Sequence, residues 1–430
     1  YFLMKNNNQY LLILFAVLLS SFYSFGQEEN VVFENEIFNT NILTPLLHTE
    51  NNPMSNPIIH LGTEEKLQLS FDDFSEDLQD YYYTIIHCNS DWTQSDLMQS
   101  EYIDGFFENR IEDYEFSFNT LQKYTHYNLV FPENYLKPLL SGNYIIKVFV
   151  NNNPKEVVLI KRFMILDEKI NISSNVKRAT LIDDREYKQE IDFTISHSNV
   201  YVANPYSDIK VVIKQNNRED NSITNLQPLF VKQDQLIYDY ESENTFEAGN
   251  EFRHFDIKSI RYQSERIKEI SSDSNNINVK LLTDISRSFE EFISIPDING
   301  EFLINKQEAW NSETEAEYIK VNFSLLENRK ISYGDIYLIG RFTDWKIKED
   351  YKLQFNEISR RYECIALLKQ GYYNYLYIVQ DHSNKQTNLT FIEGSHYQTK
   401  NDYYIYVYYR EIGKNYEQLI GFKKTSSELF

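Results

Sequence analysis

The sequence predicts an all-β protein of three consecutive β-sandwich domains, and three observations predict it. Short runs that alternate apolar with polar residues, or that are rich in β-branched ones, recur along the 430 residues. Clusters of Asn, Asp, Gly and Ser separate them. Aromatic residues make up 15% of the chain, with 34 Tyr against 12 Gly, which suits strands carrying large side chains on both faces. Helical periodicity is hardly visible.

The N-terminus is read as a targeting segment. Met4 and Lys5 precede the apolar run YLLILFAVLL, Tyr10 to Leu19. A membrane helix needs about 20 apolar residues, and this run is too short for one. It has the length of a signal-peptide core, and Ser24 and Gly26 are the small residues expected before a cut at Gln27. Residues 1–26 are therefore a predicted signal peptide with Met4 as its start. No Cys stands at the cut, so a lipoprotein anchor is not expected, and no later run is apolar enough to span as a helix. The expectation is an exported, soluble protein.

The first domain, residues 27–166, is predicted from KLQLSF, YYYTII, EYIDGFF, THYNLVF, GNYIIKVFV and EVVLIKRFMIL. Leu67, Leu69 and Phe71 fall on one side of their run, with Gln68 and Ser70 on the other. The last two runs flank NNNPK, whose Asn residues tolerate left-handed backbone and whose Pro154 is unsuited to a central strand. They predict a hairpin. About seven such strands make an immunoglobulin-like sandwich, and Tyr144 stands where such sandwiches carry a corner tyrosine.

A second series predicts a middle domain over 167–309: KINISS, QEIDFTIS, DIKVVIKQ, QLIYDYE, FRHFDI and NINVKLL. The third domain, 310–430, rests on EYIKVNFSL, GDIYLIGRF, YECIALL, YYNYLYIV and DYYIYVYY. Between them, NKQEAWNSETEAE is charged and lacks apolar periodicity. The one predicted helical turn is DWTQSDLMQ, with Asp91 as its cap.

Charge and cysteines narrow the function classes. The 42 Lys and Arg against 64 Asp and Glu give a net charge of −22, which repels nucleic acid and anionic lipid. Cys88 and Cys364 fall in different predicted domains, so both are read as buried thiols with no disulfide framework. Nucleophile-elbow, Walker, zincin and EF-hand signatures are absent from the sequence, and no two of the eight His are four apart. His87, Cys88, Asp91 and Trp92 invite a catalytic or metal reading. Adjacent strand residues point to opposite faces, and the chain offers no further Cys or His nearby to complete a zinc site. The expectation is therefore Cys88 in a core, Trp92 packed over a sandwich edge and Asp91 capping a turn, with no catalytic residue, metal, cofactor or small-molecule substrate.

GDIYLIGRFTDWK, with Gly340, Phe342 and Trp345, is similar to the opening of starch- and glycogen-type carbohydrate-binding modules, which have early-set immunoglobulin-like folds. QGYYNYLYIV, with Gly371, Tyr373 and Tyr375, matches their later strand. In sugar-binding members the tryptophan at the position of Trp345 stacks on a pyranose ring. The second tryptophan expected after the Tyr strand is replaced here by QDHSN.

From about Phe33 onward, an ordered series of phrases resembles the type IX secretion system plug proteins of Bacteroidota. It comprises YYYTIIHCNSDWTQSDLMQSEYIDGF, FSFNTLQKYTHYNLVFP, SGNYIIKV, VVIKQNNRED, LIYDYESENTFEAGNEFRHFDI and GDIYLIGRFTDW. The resemblance implies a non-enzymatic periplasmic protein that binds and closes the periplasmic opening of the outer-membrane translocon barrel. It brings no catalytic residues. The alternatives are a periplasmic glycan-binding protein, resting on Trp345, and a secreted cargo of the same system. Cargo is disfavoured because the end, IGKNYEQLIGFKKTSSELF, does not resemble a sorting domain.

Overall fold

Alternation along the strands sets the layers. In Leu67–Asp73, Leu67, Leu69 and Phe71 enter one core, as a strand with a buried face requires. That strand lies between Ile42–Thr49 and Thr125–Phe131, and Asp113–Phe116 forms the edge of the four-stranded sheet. The facing sheet runs Glu36–Ile37, Val157–Leu166, Gly142–Val150, Tyr81–Cys88 and Asn109–Arg110, with Ile58–His60 parallel to Val157–Leu166. Gly142–Val150 and Val157–Leu166 form a hairpin whose turn holds Asn151 and Asn152 in left-handed backbone. This computed structural model describes residues 32–75, 77–327 and 329–427. The signal-peptide expectation lies outside them.

Both faces of Gly142–Val150 are buried. Tyr144, Ile146 and Val148 face the first core, while Ile145 meets a second layer containing Tyr404, Tyr406, Tyr408 and Leu419. That layer is the sheet Ile209–Gln215, Asp402–Tyr409 and Gln418–Ser426. Its other face, with Tyr403, Ile405, Val407 and Tyr409, enters a core shared with Ile172, Ile191, Phe193 and Leu236. Four sheets thus stack face on face. Two-sided burial is the physical reason for so much tyrosine.

Strand pairing does not follow the division expected at 309/310. Ile209–Gln215 pairs with Asp402–Tyr409, from the far end of the chain. Arg253–Asp256 and Phe302–Ile304 instead pair with Gly371–Asp381, in a third core that includes Phe255, Val279, Val321, Ile336 and Tyr375. The third sandwich is inserted into the second, whose last strands return after it. Strands close in sequence usually pair, and a linear division assumes that they do. Alternation says that a strand needs a partner, not which one.

Two local expectations are corrected. EYIDGFF is not one strand but a helical turn, Gln99–Tyr102, followed by Ile103–Gly105. Of DWTQSDLMQ only Gln99 belongs to that turn; residues 91–98 precede it and are not helical. Their chain doubles back on the preceding strand, with Ser95 N–H donating to His87 O at 3.0 Å, so Asp91 caps a tight turn instead. Corner tyrosines occur twice: Tyr144 Oη donates to Leu140 O (2.8 Å) and Tyr373 Oη to Lys369 O (2.6 Å).

Candidate functional site: the junction of three sandwiches

Trp92 sits at the tip of a turn that only a short, polar sequence could make. Asp91 Oδ1 accepts from Thr93 N (3.0 Å) and Thr93 Oγ1 (2.6 Å), and Trp92 itself is left-handed at φ 65°. Left-handed backbone on a bulky residue costs about 1–3 kcal/mol and persists where packing over-determines it. Here it does. The ring is buried, and the Arg162 guanidinium of the first sandwich lies over it at 4.4 Å. Lys214 of the second sandwich lies 5.9 Å from the same ring and binds Glu219 at 2.5 Å. Beside the turn, Ser90 N–H donates to Glu417 Oε2 of the second sandwich at 2.8 Å.

The Gly-x-Phe-x-x-Trp stretch works as a three-way joint. Gly340 is needed for space: an added Cβ would lie 2.8 Å from the Phe342 ring and 2.9 Å from Asn374 O. Phe342 packs on Tyr351 and Tyr373 of the third core. Asp344, left-handed at φ 56°, reaches the first sandwich and binds Lys161 Nζ through both oxygens, at 2.8 and 3.1 Å. Burial pushes the Asp344 carboxyl up, but Lys161 and Lys348 pull it below the ordinary range. Trp345 meets the second sandwich, whose Arg218 guanidinium lies 5.2 Å from its ring.

Trp345 is 5% exposed. Phe252 packs edge-on at 5.8 Å, and Gly300 comes so close that a Cβ there would lie 2.2 Å from the ring. No open face is left for a sugar. Trp92 and Trp345 both line a cleft of about 490 Å3 where the sandwiches meet, together with Lys161, Arg162, Lys214 and Arg341. Of the five motif residues singled out in sequence, Trp92, Phe342 and Trp345 line this junction, Gly340 shapes it, and Asp91 holds its turn from outside.

A second joint links the first and third sandwiches. Asp72 is fully buried; it contacts His126 Nδ1 at 2.6 Å, Lys369 Nζ at 2.5 Å and the Tyr318 hydroxyl at 2.6 Å. Burial raises its carboxyl, but Lys369 first and then His126 bring it below the ordinary carboxylate range.

Residues 42–167 match the family model for the first domain of type 9 secretion system plug proteins. The chain is also similar to the crystal structure of a hypothetical protein from Parabacteroides merdae. Identity is 34%, the match covers 92% of this chain and 100% of that one, and the TM-score is 0.89. The chain belongs to the type 9 secretion system plug family. No curated protein matches it.

In this plug-family chain the cluster of His87, Cys88, Asp91 and Trp92 separates by strand geometry. His87 faces Tyr144 and Tyr102, while Cys88 packs in the layer containing Ile145 and Tyr406. Burial pushes the Cys88 thiol up to about 12 and the His87 imidazole down to about 4, so neither is primed for nucleophilic or base chemistry at neutral pH. Both cysteines are free and buried. Among the described residues, three carboxylates converge at Glu190, Asp192 and Asp239. The Lys177 ammonium sits between the first two, at 3.0 and 2.5 Å.

Arg253 is buried between Glu393 and Asp284, and the hydroxyls of Tyr375 and Tyr377 both donate to Asp284 Oδ2 at 2.8 Å. Sequence reading missed Lys161, Asp344, Asp72 and Lys369. The available signal was a charge inside an otherwise apolar run, as Lys161 and Arg162 are in EVVLIKRFMIL.

Proposed function

We propose that this chain is a non-enzymatic periplasmic plug that binds the outer-membrane translocon barrel of the type IX system and closes its periplasmic opening. The family match over residues 42–167 carries the reading. The architecture suits it: from Phe33 onward the chain is one compact unit, held by cation–aromatic contacts such as Lys214 with Trp92 and Arg218 with Trp345, and by buried ion pairs, across its sandwiches. A stopper for a wide pore needs rigidity and surface more than chemistry. Stable interfaces bury about 1,200–2,000 Å2, which several sandwiches side by side can offer. No helix among the described residues is long and apolar enough to cross a membrane.

Deleting the gene is expected to admit bulky antibiotics or dyes across the outer membrane, while secretion falls less. Uptake is measured with and without the barrel. Sensitivity that does not rise, or that rises equally in the absence of the barrel, refutes the reading.

A further inference from the structure

The first sandwich has an unfinished edge. Among the described residues, Asp113–Phe116 is the outermost strand of its sheet, paired only with Thr125–Phe131. Ser117 N–H donates to Tyr124 O at 2.8 Å, so the alternation of an antiparallel ladder turns the odd-numbered residues inward. The N–H and C=O groups of Tyr114 and Phe116 therefore point outward. The next outward N–H, that of Phe118, already donates to Thr314 O of the third sandwich at 2.9 Å. Pairing along this edge thus begins at the sandwich interface and stops after one bond.

The side chains agree with an unfilled position. Tyr114 lies beside buried Tyr127 at 5.9 Å, on the core side of the sheet, yet it is 39% exposed. Phe116 and Phe118 are 65% and 69% exposed, and Tyr114 meets Phe116 edge-on at 5.9 Å. The facing sheet does not cover them, because its own edge strand is only Asn109–Arg110. Natural edges are usually blunted by Pro, Lys or a covering loop. This one offers aromatics.

We propose that this edge receives an extended segment of the barrel by strand addition, with basic residues flanking apolar ones. The inference rests on the plug reading above. Charge selects the occupant. The run from Gly105 to Phe118 carries Glu108, Glu112, Asp113 and Glu115 against Arg110 alone, and Arg110 is already paired with Asp80. A second copy would set like charges across the new pair. The chain's own Gln27–Val31 brings two more carboxylates. A basic strand gains backbone bonds, aromatic cover and opposite charge together.

The test uses the full chain in cells that make the barrel. A benzophenone amino acid at position 116 is expected to cross-link to the barrel, with the adduct mapping to an extended segment containing Lys or Arg. The control is the same probe at exposed Phe289. Phe116→Pro deletes an N–H that the ladder does not use, so the fold should hold while co-purified barrel drops about tenfold, as the loss of one or two hydrogen bonds implies. Glu112→Lys should also weaken capture and its salt dependence. The proposal is overturned by an adduct to a second copy, by barrel adducts from 289 but not 116, or by unchanged capture in Phe116→Pro. Unfolding of Phe116→Pro while Glu115→Pro stays folded would also overturn it, because the outward set would then be wrong. If the wild-type chain captures no barrel and neither position cross-links to it, the plug reading itself fails. Barrel capture by the wild type with none of the edge effects refutes only the strand addition.

Discussion

The first sandwich meets its two neighbours with different emphasis. Against the second it lays one sheet face on another, with Ile145, Met164 and Leu166 under Tyr404, Tyr406 and Tyr408. Against the third it buries a carboxylate, an imidazole and an ammonium, Asp72, His126 and Lys369. An apolar interface tolerates small errors of fit, since its energy scales with area. A buried ionic joint does not: breaking one member strands a charge in a dry site. The first kind makes adhesion, the second makes one geometry.

The largest effect should come from the ionic joint. Asp72→Ala leaves the Lys369 ammonium without its carboxylate and should cost about 3–5 kcal/mol in urea unfolding. The double variant Asp72→Asn with Lys369→Met should recover much of that loss. If the single change is silent, the joint does not hold the sandwiches together. Trp345→Ala should cost roughly 3 kcal/mol or more, as large-to-small changes of buried aromatics do. Saturable α-glucan binding that disappears in this variant without loss of stability would restore the sugar reading.

Acid should loosen the first sandwich at His87. Burial lowers its folded pKa to about 4 from the ordinary 6.5. Between those values the unfolded chain binds a proton that the folded chain refuses, so stability falls as pH drops through that window. The total is about 3 kcal/mol by pH 4, at 1.36 kcal/mol per pKa unit. Unfolding measured at pH 7, 5.5 and 4 should show that slope in wild type, and His87→Gln should flatten it. The smallest effect belongs to the apolar interface. Tyr408→Phe removes a 2.8 Å bond to Asn143 Oδ1 and should cost about 1 kcal/mol. A larger loss there would mean that the stacked sheets depend on polar fit after all.

Much of the strand set was legible, because a half-buried strand must alternate and the chain's turns are rich in Asn, Asp and Gly. Ile42–Thr49 was missed because its pattern breaks at Thr44, a left-handed residue before Pro45. Gln418–Ser426 was missed because it ends in exposed Lys and Ser. The cluster from His87 to Trp92 was legible in the sequence, but its use was not. Trp92 matters through Arg162 and Lys214, which are remote in sequence.

By itself the sequence determined an all-β chain, its period-two runs, its acidic surface and, through resemblance, its family. These are local or summed properties, readable without knowing which residues meet. Tertiary structure alone decided that the last strands return to the second sandwich, that Trp345 is buried at a joint, and that Asp72 finds Lys369. Each depends on the choice of partner among strands that all satisfy the same alternation. That choice is made by complementary faces and charges brought together from distant parts of the chain.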